Sequence, residues 1–267
     1  MKLKSLISSL LSKKKKAEAG EEGGNCEESD EVFKNDLISR KKLCVVINID
    51  NTLLDSLRGC DYAWEDHDYL SESGVQRSVR QGVFYASAKL DRITKLRPYI
   101  RTFLEKLTLD YDIVLYSRVS PQYLDIMTDV LDRDSVYRKA GCLTSVYEDD
   151  DIGKKHLHPI LKNREVVCIL DCRESGWEKY ADNLIKIDPY CYFVTKARAN
   201  NNLNLHLPKS WIQLKGDECE EGGELYRVLR VLSVAHIFFF KPDSSHDIRQ
   251  VIHNLKSQNK LYKYRTL

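Results

Sequence analysis

Leu43-Cys44-Val45-Val46-Ile47-Asn48-Ile49-Asp50-Asn51-Thr52 is the stretch that decides the fold. Its first five residues form a continuous apolar run rich in β-branched side chains, as in a strand buried on both faces. The run then closes on amides, a carboxyl group and a hydroxyl. Two later segments repeat this arrangement. Asp112-Ile113-Val114-Leu115-Tyr116 closes on Ser117, and Val166-Val167-Cys168-Ile169-Leu170 closes on Asp171-Cys172. Helical spacing separates and follows them. Ile100, Phe103, Leu104 and Leu107 recur at i, i+3, i+4, i+7, and Ser120-Pro121 reads as a cap with proline at the first helical position. Leu225, Val228, Leu229 and Leu232 mark another helix, as do Ile248, Val251, Ile252 and Leu255. Buried strands alternating with amphipathic helices predict an α/β, Rossmann-like parallel sheet flanked by helices. In such sheets ligands bind beyond the carboxyl ends of the strands. Three strand ends carrying acids, amides and a hydroxyl therefore predict a phosphate or metal site.

Residues 57–96 break the pattern with aromatics and turn formers, which predicts a small insertion after the first strand, a hairpin at the site mouth. The start of the chain differs again. Residues 1–16 hold six lysines and no acid, and Glu18–Glu31 hold seven acids and no base. Opposite-sign blocks this poor in apolar residues predict a disordered charged tail over residues 1–40, with one domain over 41–267. Lys13–Lys16 suits a nuclear import signal, a membrane-surface patch or a plain solvated run. The apolar patch Leu3–Leu11 is too short to span a bilayer, which argues against a membrane protein. The 267 residues carry 42 Lys+Arg against 40 Asp+Glu, so the near-neutral balance gives no sign of direct nucleic-acid binding. Eight cysteines with no C-x-x-C pair suit a reducing compartment. His156 and His158 read as surface or neighbouring-shell histidines, Glu148–Asp151 as a solvated loop, and Phe238–Phe240 as packing.

With those elements in place, several motifs become recognisable. Asn48-Ile49-Asp50-Asn51-Thr52-Leu53-Leu54 resembles the D-x-D-x-T signature of the haloacid-dehalogenase (HAD) superfamily with its first aspartate changed. Lys95-Leu96-Arg97-Pro98, then Phe103-Leu104 and Tyr116-Ser117, is similar to the K-L-R-P…F-L…Y-T stretch of the phosphatases of the RNA polymerase II C-terminal domain (CTD). Asn183-Leu184-Ile185-Lys186-Ile187-Asp188-Pro189-Tyr190-Cys191-Tyr192-Phe193 resembles a stretch of the branch associated with general transcription factor IIF. Asp171-Cys172-Arg173-Glu174 with Trp177 resembles its D-D-R-E/D…W. The resemblance runs over roughly residues 41–257, in the expected order.

That resemblance implies a HAD-like fold and a magnesium-dependent protein serine/threonine phosphatase. In the family the first aspartate attacks phosphorus, and the second serves as general acid and base. It implies Asp50 at the acid/base position, Thr52, Ser117 and Lys155 as phosphate-binding residues (Lys154 competes for the last), and Asn48, Asp50, Asp171 and Cys172 at metal positions. The implied partners are a phosphorylated Ser-Pro-rich polypeptide, the CTD, and the general transcription machinery, with a nuclear location and a cytoplasmic one as the alternative. Two positions depart from the pattern. Asn48 stands at the nucleophile, where a carboxamide cannot form an aspartyl-phosphate. Cys172 offers a soft thiol where magnesium takes oxygen. Together they predict a catalytically impaired, phosphatase-like protein that binds phosphoserine peptides. An active enzyme with a divergent site and a scaffold keeping only the fold are the alternatives.

Overall fold

The computed structural model describes residues 26–61, 63–66, 84–147, 157–194 and 209–258. In chain order, helix α1 (Cys26–Ser39) leads into strand β1 (Leu43–Asn48), followed by β2 (Leu54–Arg58), β3 (Phe84–Ser87) and β4 (Arg92–Leu96). Helix α2 (Ile100–Asp110) precedes β5 (Tyr111–Ser117), and α3 (Pro121–Leu131) and the short α4 (Val136–Ala140) precede β6 (Leu143–Tyr147). One helical turn, α5 (His158–Leu161), precedes β7 (Val167–Asp171); then come β8 (Leu184–Lys186), α6 (Glu224–Phe239) and α7 (Ile248–Ser257).

Five strands form one sheet in the order β6-β5-β1-β7-β8, and every neighbouring pair is parallel. The expected α/β architecture is the observed one. All residues of β1, β5 and β7 are buried, as unbroken apolar runs require when helices cover both faces. Ile100, Phe103, Leu104 and Leu107 turn the buried face of α2 to the core. Ser120 caps α3 through its side chain, which accepts the Tyr123 N–H, with Pro121 in the first turn. The insertion after β1 is a second, antiparallel sheet ordered β2-β4-β3 whose β3–β4 pair is the expected hairpin.

The boundary expected at residue 41 falls too late. Cys26–Ser39 is helical, and Phe33 and Leu37, one turn apart, are fully buried in the main core. Below this helix Arg40 and Lys42 both reach the buried carboxyl group of Asp112 at the start of β5. Two apolar anchors and this ion cluster fix the segment, although acids dominate its composition. The remainder of the expected tail, with Lys13–Lys16, lies outside the described residues, as do Glu148–Asp151, Lys154, Lys155, His156 and the side chain of His158.

At the far end of α6 the three phenylalanines separate. Phe239 is fully buried, while Phe238 is 38% exposed and carries the Lys241 ammonium 3.8 Å from its ring centre.

Candidate functional site

Strands β5, β1 and β7 are neighbours and parallel, so their carboxyl ends bring Ser117, Asn48 and Asp171 to one edge of the sheet. The chain leaves β1 through a tight turn in which the N–H groups of Thr52 and Leu53 both return to the Ile49 carbonyl. Asn51 adopts a left-handed φ of 56°, a conformation that asparagine tolerates better than most residues. Asp50 is thereby folded back over the strand ends.

Asn48 lies at the bottom of this cluster, 8% exposed. Its carboxamide nitrogen sits 2.8 Å from the Asp50 carbonyl, 3.2 Å from Asp171 Oδ1 and 3.4 Å from Thr52 Oγ1. Asp171 is saturated. Its Oδ1 also accepts the Arg173 N–H at 3.0 Å, and Oδ2 accepts the Tyr116 hydroxyl at 3.1 Å and the Trp177 indole N–H at 2.8 Å. Four donors fill the roughly four lone-pair directions of one carboxyl group. Burial, and next Asp171 itself, hold the Tyr116 hydroxyl far above its ordinary value, so it remains a donor.

Asp50 is held from the other side. Tyr123, fully buried on α3, donates its hydroxyl to Oδ1 at 2.5 Å, and Ser117 donates to Oδ2 at 3.0 Å. Burial first, and Asp50 second, push the Tyr123 phenol well up. The sequence pointed to Ser117 but not to Tyr123. Its only signal was a phenol on the core face of a helix, which needs a partner for its hydroxyl. Ser117 and Thr52 are fully buried, and both hydroxyls are engaged inside the cluster. The groups reaching the surface are Asp50, Asn51, Cys172, Arg118 and Arg173.

Cys172 approaches the Asp50 carbonyl at 4.0 Å through its thiol. Burial, then neighbouring Asp171, raises that thiol above its ordinary value. Magnesium requires oxygen ligands in near-octahedral geometry at about 2.0–2.1 Å. As Asn48 is turned, its N–H₂ and not its carbonyl oxygen faces the cluster, Asp171 already accepts four donors, and a thiol is too soft for magnesium. Among the described residues no three His, Cys, Asp or Glu side chains form a metal-holding group. The donor set does not fit magnesium.

A further set of contacts fixes the turn from outside. Asn51 donates its side-chain N–H to the Tyr190 carbonyl at 3.0 Å, and Tyr190 N–H returns to the Asn51 carbonyl at 2.7 Å. Asp55 accepts the backbone N–H groups of Tyr192 and Phe193. Arg97, fully buried, donates to the Thr52 and Asp188 carbonyls and pairs with both oxygens of Glu218. Lys95 pairs with Asp217 beside it. The Lys95-Leu96-Arg97 and Pro189–Phe193 motifs therefore clamp the site turn rather than line it.

Comparison with known proteins places the chain. Over 229 residues the chain is 29% identical to the RNA polymerase II C-terminal domain phosphatase-like 4 of Arabidopsis thaliana, covering 82% of this chain and 50% of that protein. It is 26% identical to a C-terminal domain phosphatase of RNA polymerase II from Caenorhabditis elegans, covering 80% of this chain and 30% of that one. The chain thus spans half or less of the length of these curated relatives. The solved structure of Fcp1, an essential RNA polymerase II CTD phosphatase, superposes with a TM-score of 0.61 at 16% identity, covering 86% of this chain and 74% of that one. That likeness confirms the HAD-like fold. With residues 43–214 matching its family pattern, the chain belongs to the NLI interacting factor-like phosphatase family.

Proposed function

We propose that this chain is a CTD-phosphatase-like protein that binds phosphoserine peptides and has lost, or nearly lost, the ability to hydrolyse them. One observation carries this reading. The residue at the nucleophile position, Asn48, is neutral, 8% exposed, and committed through its N–H₂ group to internal acceptors. A carboxamide so placed neither attacks phosphorus nor forms an acyl-phosphate. Asp50, at the acid/base position, is tied through both oxygens to Tyr123 and Ser117, which disfavours its reaching a leaving group.

The peptide reading follows from the relatives, two of which are phosphatases of the polymerase C-terminal domain. A phosphorylated Ser-Pro-rich polypeptide such as the CTD is the proposed ligand, and the nucleus the proposed location. A neutral Asn48 also removes one negative charge that would repel a phosphoserine dianion.

The test is hydrolysis of an aryl phosphate by the wild-type chain and by the Asn48→Asp, Cys172→Asp variant, assayed side by side with magnesium. The wild type is expected to show no turnover above buffer, and the double variant to gain it. Turnover by the wild type, abolished by Asn48→Ala, would show an active enzyme. Calorimetry with a phosphorylated heptad peptide tests the binding half, and silence there at physiological salt would leave only a scaffold.

A further inference from the structure

The contacts of Asn48 carry a consequence beyond lost nucleophilicity. Its nitrogen lies between two oxygens, the Asp50 carbonyl at 2.8 Å and Asp171 Oδ1 at 3.2 Å, which converge on it from different segments of the chain. Converging oxygens at strand ends need a positive partner, either a cation or N–H hydrogens. Here the hydrogens are built into the chain. The other donors on Asp171, from Arg173 N–H, Tyr116 and Trp177, fill its remaining lone pairs without any ion.

A phosphate dianion arriving at such a site still needs charge. The rim supplies two guanidinium groups. Arg118 directly follows Ser117, stacks over the Tyr116 ring at 6.0 Å, and lies along Gly176, where a Cβ would stand 3.1 Å from its Nη2. Gly176 has a φ of +89°, which suits glycine, and its lack of a Cβ leaves that space to the arginine. Arg173 follows Cys172 and is exposed. The Arg173 N–H donates to Asp171 Oδ1 at 3.0 Å, and Arg118 lies over Tyr116, whose hydroxyl donates to Asp171 Oδ2, so both residues flank Asp171. Arginine is the residue best suited to fork onto phosphate oxygens.

We propose that the Asn48 carboxamide replaces the divalent cation at this centre, and that a phosphorylated ligand binds here without metal, its charge met by Arg118 and Arg173. The ligand half rests on the phosphopeptide reading above; the cation half does not. Two measurements on the full chain separate them. In thermal unfolding, the wild-type midpoint is expected to be the same in EDTA and in magnesium chloride. Asn48→Asp, which sets a carboxylate against Asp171 and the Asp50 carbonyl, is expected to melt lower in EDTA. It should recover by roughly 5–10 °C once magnesium exceeds its dissociation constant a hundredfold. Stabilisation of the wild type by magnesium would overturn the cation replacement whatever becomes of the variant.

In calorimetry, a phosphoserine heptad peptide is expected to bind equally in EDTA and in magnesium. The Arg118→Gln, Arg173→Gln variant should weaken it on the order of tenfold or more, while a circular dichroism spectrum like that of the wild type shows the fold intact. Binding only in magnesium would overturn the inference and leave the phosphopeptide reading standing. Binding in neither medium would overturn that reading and the ligand half together, with the cation half still decided by the melts.

Discussion

Removing the Arg97 guanidinium tests the outer clamp most directly. The side chain is fully buried and makes four hydrogen bonds, to the Thr52 carbonyl at 3.0 Å, the Asp188 carbonyl at 2.9 Å and the two Glu218 oxygens at 2.9 and 2.6 Å. Arg97→Met keeps most of the apolar stem and deletes all four. The Glu218 side chain, 12% exposed, is left without its counter-charge, and breaking a buried pair from one side costs about 3–5 kcal/mol. At about 2–4 °C per kcal/mol for a domain of this size, the midpoint should fall by roughly 6–20 °C. The partner substitution decides the cause. Arg97→Met with Glu218→Leu removes the orphaned carboxylate and leaves the Thr52 and Asp188 carbonyls as the residual loss, about 1–3 kcal/mol each if unpaired. The double variant should therefore melt above the single one. Circular dichroism on both, with amide exchange at Trp211 and Ile212, whose N–H groups pair with Cys191 and Tyr192, reads the clamp and the segment it holds. A single variant that loses less than about 1 kcal/mol, or a double variant no more stable than the single, would refute the clamp.

Other perturbations bear on separate parts of the molecule. Tyr123→Phe removes the hydroxyl donated to Asp50 and should cost about 1.5–3 kcal/mol in urea unfolding, as expected for a bond to a carboxyl group. Phe33→Ala should cost about 3–5 kcal/mol and strip exchange protection from α1 first; no loss would return residues 26–39 to the tail. Asp247 caps α7 by accepting the Arg249 N–H. Burial, the largest influence, raises its carboxyl, but Arg249 outweighs it and the net value lies below the ordinary 3.8. A lowered folded value gives stability that is complete above about pH 4 and is lost as pH falls through that value. Asp247→Ala should thus cost about 1 kcal/mol at pH 7 and flatten the acid limb of the stability profile.

The sequence revealed the scaffold because burial there follows chain periodicity. Continuous apolar runs predicted β1, β5 and β7, i, i+3, i+4 spacing predicted α2, α6 and α7, and the Ser120-Pro121 cap marked the start of α3. Helix α1 escaped because only two of its described side chains, Phe33 and Leu37, are fully buried, and the five acids of Cys26–Ser39 outvoted them in composition. Within the site, the strand-end residues were legible as types and positions. Their roles toward one another were not. That Asn48 donates to Asp171, that Asp171 is saturated, and that Tyr123 reaches Asp50 across 73 positions depend on tertiary placement that no local pattern encodes. The Asn183–Phe193 stretch was legible as a motif, yet only the folded chain shows that its end grips Asn51 and Asp55 from outside.

That division explains how the chemistry at the centre can change while the frame persists. The inner cluster of Asn48, Asp50, Ser117, Tyr123 and Asp171 is closed by bonds among its own members, side chain to side chain except where Asn48 meets the Asp50 carbonyl. The outer clamp of Asn51, Asp55, Lys95 and Arg97 holds the same turn through backbone carbonyls and a separate acidic pair, Asp217 and Glu218. The two sets meet chiefly through the backbone of the turn, Asp50 to Thr52. An isosteric exchange of aspartate for asparagine at position 48 alters charge and donor count inside while leaving every clamp bond in place. Losses add where groups share no partner and couple where they share a hydrogen bond or a backbone shift. Asn48→Asp and Arg97→Met, linked only through Thr52, should therefore couple more weakly than Asn48→Asp and Asp171→Asn, which share a hydrogen bond directly.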